Sequence, residues 1–181
     1  MPLPEAIDPS ALTLCSVLHQ GGVIRRKHTP FAVAVIQSPD GRLALGGEAG
    51  QAGRWFATSE ALPIMDAATD EQRREAAAQC VGALLEERAI EPRFVASVSG
   101  LILRNDARSS LVRSGRVDGK TRILLPFGVR LTARPQIKGM SWYTHDAALE
   151  QIKLAPPERT GHMIVLGRLA RLHREDHLQT D

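Results

Sequence analysis

Little in this chain invites redox chemistry, base stacking or membrane insertion. Only two of its 181 residues are cysteine, and its aromatics are two Trp, one Tyr and four Phe. Cys15 and Cys80 lie far apart, without metal-ligand spacing, each in an apolar helical pattern. They read as buried thiols of a reducing compartment and not as a disulfide. With so few rings, an extended stacking surface is excluded; Trp55 and Trp142 read as core anchors, leaving Phe127 or Tyr143 as the rings nearest the basic stretch. No apolar run approaches the ~20 residues of a membrane-spanning helix. The start, MPLPEAIDPS, has neither the basic nor the apolar region of a secretory leader, and Glu5 and Asp8 do not suit an organellar transit peptide. The expectation is an intracellular protein without membrane partners, cytoplasmic or, with a transit peptide already removed, in an organellar matrix. Gly-any-Ser-any-Gly, P-loop and Cys-any-any-Cys motifs are all missing, which removes serine hydrolase, P-loop NTPase and zinc-ribbon readings. His145 and His162 have no zinc spacing and read as capping or structural residues.

What the chain does have is an uneven charge. Its net charge is +3, yet residues 101–140 hold nine basic side chains and two acidic ones, +7 locally and −4 elsewhere. Arg104, Arg108, Arg113, Arg116, Lys120 and Arg122 head this segment. They point either to an anionic partner, RNA or a nucleotide, or to a solvated loop between strands.

The element pattern is mixed. Asp8 and Pro9 suit a helix start and Gly21-Gly22 a stop, which predicts an N-terminal helical extension over 1–28. FAVAVIQSPDGRLALGG predicts a hairpin turned at Pro39-Asp40-Gly41, and 46–69 a loop with Trp55–Phe56 as a short strand or anchor. In TDEQRREAAAQCVGALLEER, Thr69 and Gln72 form a capping-box pattern ahead of an apolar side at Ala77, Val81, Leu84 and Leu85. Phe94–Arg104 predicts a strand, followed by a basic loop containing Gly115 and Gly119. Residues 121–133 predict one or two strands, with Pro126 marking an edge or bend. GMSWYT is a short strand, HDAALEQIKL a short helix capped by Thr144 or Asp146, and Gly161–Glu175 a last apolar helix whose end frays.

This order and its motifs resemble the Nudix family. FAVAVIQSPDGRLALGG looks like the family's opening hairpin and Gly53-Arg54-Trp55 like its Trp strand. Glu86-Glu87-Arg88-Ala89-Ile90 looks like the end of its motif helix, and Ser141–Asp146 like its later Trp strand and helix cap. The likeness spans roughly 29–175, with 176–181 as a tail, and implies a Nudix-like α/β/α sandwich with a mixed sheet. The sequence also departs from the motif. Aligned on Glu86-Glu87, the motif's Arg-Glu pair falls on Gly82 and Ala83, its following Gly on Ala89, its earlier Glu on Arg74 and its first Gly on Ala68. A second register, with Arg74-Glu75 on the Arg-Glu pair, puts Ala78 and Gln79 where the glutamates belong. FATSEALP stands where Pro-Gly-Gly follows the Trp strand.

The resemblance implies hydrolysis of a diphosphate linked to another moiety, with magnesium or manganese held by carboxylates on one helix face. Glu86 and Glu87 are the candidate catalytic and metal-binding pair, and Glu75 is a possible third ligand. With Ala83 in place of a carboxylate the trio is incomplete. The leading expectation is therefore a non-catalytic domain without a cofactor, binding RNA or a nucleotide, or serving as a scaffold with protein partners or as a homodimer. The alternatives are an active, divergent pyrophosphohydrolase recruiting Glu60, Asp66 or Glu75, and a protein–protein module with no nucleic-acid role.

Overall fold

The alternation in Phe31–Gln37 sorts the core into two. In a computed structural model of the chain, Ala32, Ala34 and Ile36 join one apolar cluster, while Val33 and Val35 join the other. This is the period-2 pointing that a strand imposes. The structure describes residues 6–9, 11–12, 28–60, 69–101 and 112–180. These contain strands β1 (His28–Gln37), β2 (Leu43–Gly46), β3 (Ala57–Glu60), β4 (Val95–Gly100), β5 (Val112–Val117), β6 (Lys120–Leu131) and β7 (Met140–Tyr143). The helices are α1 (Asp70–Glu87), α2 (His145–Lys153) and α3 (Gly161–Thr180). All seven strands form one sheet, in the order β4-β6-β1-β2-β7, with β3 also paired to β1 and β5 to β6. β1 and β6 run parallel along ten residues and the remaining pairs are antiparallel. Ala77, Val81, Leu84 and Leu85 of α1 cover one face, and α2 and α3 cover the other with Ala148, Ile152, Val165, Leu166 and Leu169. The mixed α/β/α architecture expected from the sequence is the one observed.

Local chemistry sets the helix ends as expected. The Thr69 hydroxyl accepts from Gln72 N–H at 3.2 Å, and the Gln72 side chain accepts from Thr69 N–H at 2.8 Å. The Thr144 hydroxyl accepts from Ala147 N–H at 3.3 Å. Asp8 Oδ1 accepts from Ala11 N–H at 3.4 Å beside a parallel bridge between Ile7 and Val98. The rest of the N-terminal extension, including Cys15, lies outside the described residues. Cys80 is buried on the apolar side of α1. No helix of the described residues is long and apolar enough to cross a membrane.

Three sequence expectations need correction. The described part of the segment expected as a basic loop is an edge strand, β5, turning into β6 at Asp118 and Gly119, whose φ values are 50° and 76°. Two consecutive left-handed residues between paired strands make the primed turn that suits strand twist, and Asp-Gly tolerates it. Ala57–Glu60, expected as loop, pairs residue for residue with Phe31–Ala34. Pro126 marks neither an edge nor a bend: it sits midway along β6, a central strand. Its missing N–H costs little there because β6 changes partner at that point. β5 pairs up to Leu124 and β4 from Phe127, while the Pro126 carbonyl accepts from Leu101 N–H at 2.9 Å.

Candidate functional site

Helix α1 closes on a turn that normally selects glycine. Ala89 N–H donates to the Glu86 carbonyl at 3.0 Å and Ile90 N–H to the Leu85 carbonyl at 2.9 Å, the two bonds of a Schellman motif. Ile90 and Leu85 also share a core cluster, which completes the motif's apolar contact. Ala89 therefore holds φ at 56°, where a Cβ is strained. Ala89→Gly is expected to raise stability by roughly 0.5–1 kcal/mol, the relief of that strain less the extra unfolded-chain entropy of glycine. A urea midpoint that moves upward with an unchanged m-value checks it; a lower midpoint would mean the methyl group's packing outweighs the strain.

Glu86 and Glu87 are both exposed and make no ion pair among the described residues. Arg88 turns away from them. Its Nη1 lies between Gly46 and Gly139, with the Lys138 carbonyl at 3.5 Å. Beyond the helix end opens a cavity of about 550 Å³, lined by Arg54, Ala89, Ile137, Lys138, Gly139 and Met140 among others. Glu75 precedes Glu86 by eleven residues on the same helix, about 16 Å along the axis, too far for one ion to bind both. Glu60 belongs to β3, and Asp66 lies outside the described residues. No three His, Cys, Asp or Glu side chains gather among the described residues.

The basic residues divide between the surface and the interior. Arg113, Arg116 and Lys120 are exposed on the β5–β6 hairpin, and Arg116 Nη2 donates to the Gly119 carbonyl at 2.6 Å. None of the three makes an ion pair among the described residues. Arg104 and Arg108 lie outside those residues. Arg122 points inward: it keeps only 7% of its surface, and its guanidinium sits 4.7 Å over the Phe31 ring.

The same face of the sheet carries two residues that the sequence did not mark as binding groups. Arg159 lies 4.8 Å over the Trp55 ring, donates to Thr58 Oγ1 at 3.4 Å, and has Glu48 at 3.5 Å. His162, fully buried, stacks on Phe56, and its Nδ1 accepts from Phe56 N–H at 3.2 Å. The ring proton is therefore on Nε2, which has no partner among the described residues. Burial, with the charges of Arg159 and Arg122, pushes the His162 pKa down to about 3. Burial and the charge of Arg122 also lower that of Arg159. Ser114 seats this corner: its hydroxyl donates to the Glu158 carbonyl at 2.7 Å and accepts from Gly161 N–H at 3.0 Å.

No family model matches the chain, and no curated protein matches it. Solved structures similar to it include Nudix proteins. The NUDIX domain of Shewanella oneidensis NrtR, complexed with ADP ribose, is 11% identical with a TM-score of 0.49, covering 86% of this chain and 96% of its own. A possible asymmetric diadenosine tetraphosphate hydrolase from Jonesia denitrificans is 14% identical with a TM-score of 0.47, covering 80% and 94%. The E. coli ORF135 protein is 21% identical with a TM-score of 0.45, covering 81% and 91%. At these identities the likeness concerns the course of the chain and not its activity.

Proposed function

We propose that this Nudix-like domain binds RNA through the edge hairpin β5–β6 and does not depend on metal-dependent hydrolysis. The observation that carries the reading is the exposure of Arg113, Arg116 and Lys120 on one hairpin, unpaired by any carboxylate of the described residues. Cations exposed on one hairpin suit a run of phosphates, and scarce aromatics leave phosphate contacts as the main source of affinity. Three such contacts on a single strand give a log–log salt slope of about −2, so affinity falls roughly 20-fold between 50 and 200 mM salt. Fluorescence anisotropy with a labelled single-stranded RNA measures this. Arg113→Ala/Arg116→Ala is expected to weaken binding and to flatten the slope to about −1 or less. Negligible binding that ignores salt would overturn the reading and leave a scaffold role, to be sought by native isolation of partners or by a self-association measurement.

One observation favours a second reading. Glu86 and Glu87 stand exposed where α1 ends beside a cavity that presents Arg54 and Lys138, cations suited to a diphosphate. Turnover of a panel of nucleoside diphosphate derivatives with magnesium or manganese, lost in Glu86→Gln and Glu87→Gln, would establish it. Absence of turnover across the panel would remove it.

A further inference from the structure

The interior of the sheet's second face holds donors without acceptors. Arg122, Arg159 and His162 line this face, and Arg122 Nε, Arg159 Nε and His162 Nε2 are all buried with no hydrogen-bond partner among the described residues. The sheet brings them close: Arg159 donates to Thr58, which pairs with Val33 two residues along β1 from the Phe31 under Arg122, and His162 stacks on Phe56 just before β3. A buried guanidinium normally has a carboxylate beside it. Arg159 feels the carboxylates of Glu48 and Glu158, whereas no carboxylate pairs with Arg122 among the described residues. The face of Phe31 compensates little beside the desolvation of a guanidinium. Each guanidinium is seated over a ring, Phe31 or Trp55, which helps to fix its place and, for Arg159, leaves Nε without an acceptor among the described residues beside the bond to Thr58 and the ion pair with Glu48.

We propose that Arg122, Arg159 and the Nε2–H of His162 form an inner site for a phosphate-sized oxyanion, either free phosphate or the terminal phosphate of a small molecule. Guanidinium forks match oxyanion edges, and three donor groups from different elements suit a tetrahedral acceptor better than a planar carboxylate. The ligand accepts hydrogen bonds only; no bond is made or broken. Access lies on the Arg159 side, where the side chain keeps 12% of its surface and meets Glu48, itself 57% exposed. Glu48 fills the acceptor role at this mouth and is displaced by the incoming anion. Arg122 belongs to the same hairpin as the RNA contacts but is buried where they are exposed, and the site does not rest on that reading.

Isothermal titration of the full chain in chloride buffer tests it, with inorganic phosphate as the first probe and adenosine monophosphate as the second. A saturable heat with a single equivalent of phosphate is expected, and acetate should bind more weakly. Arg122→Met and Arg159→Gln each weaken it about tenfold or more, as loss of a charged hydrogen bond does. Glu48→Gln tightens it, and Arg113→Ala/Arg116→Ala leaves it unchanged. Competition by adenosine monophosphate assigns the site to a terminal phosphate; its silence beside a phosphate signal assigns free phosphate. No saturable heat with either probe, or undiminished binding in a natively folded Arg122→Met, overturns the proposal. If Arg122→Met does not fold, Arg159→Gln decides alone, because that side chain reaches the surface.

Discussion

Acidification from pH 7 to pH 4.5 is expected to remove about 3 kcal/mol of stability through His162 alone. The unfolded chain takes up a proton on this imidazole near pH 6.5. The native state does not until pH falls to about 3, because burial, Arg159 and Arg122 oppose the charge. Between those values the unfolded state binds the extra proton, so stability is fully present above pH 6.5 and declines as pH falls toward 3. The slope approaches about 1.4 kcal/mol per pH unit, a large share of the ~5–15 kcal/mol that a domain possesses. Urea unfolding at pH 7 and pH 4.5, followed by tryptophan fluorescence, measures it. The matched variant is His162→Asn, whose side-chain oxygen can accept from Phe56 N–H as Nδ1 does but does not titrate. It should be weaker than the parent at pH 7, and its stability should decline less steeply in acid. Equal acid slopes in the two proteins would show that the loss comes from other groups.

The elements that the sequence disclosed are those whose signals are local. The capping box at Thr69, the turn at Pro39-Asp40-Gly41 and the Thr144 cap each depend on residues within four positions, and each forms as expected. What stayed hidden depends on contacts between distant segments. β3 has no period of its own and exists because Ala57–Glu60 lies against Phe31–Ala34. Pro126 reads as a strand breaker until the change of partner along β6 is known. In the candidate site, Arg122 stands in a run of cations along the sequence, yet its parity is readable there: it shares a strand face with Leu124, an inward residue of the second cluster. Arg159 and His162 carried no such cue, since their partners Thr58, Trp55 and Phe56 stand about a hundred positions away. Glu86 and Glu87 were the opposite case, conspicuous in sequence and exposed in the structure.

Replacing Arg122 with methionine is expected to raise stability by about 1–3 kcal/mol in phosphate-free buffer. Removing a charged group from a protein interior usually destabilises, because the partner left behind is buried and unpaired. Among the described residues Arg122 has no such partner: it lies over the Phe31 ring, and its Nε is without an acceptor there. Methionine has a comparable length, fills the space over Phe31 and pays no desolvation cost for a cation. It also removes one of the two charges acting on His162, so protonation of the imidazole becomes easier and the acid limb shallower. For a chain of this size each kcal/mol moves the midpoint of thermal unfolding by about 2–4 °C, so calorimetry resolves the change. A group that lowers stability while it stands empty is what a binding site contains and a structural strut does not. A loss of stability in Arg122→Met would therefore identify the guanidinium as a strut, independently of any titration with phosphate.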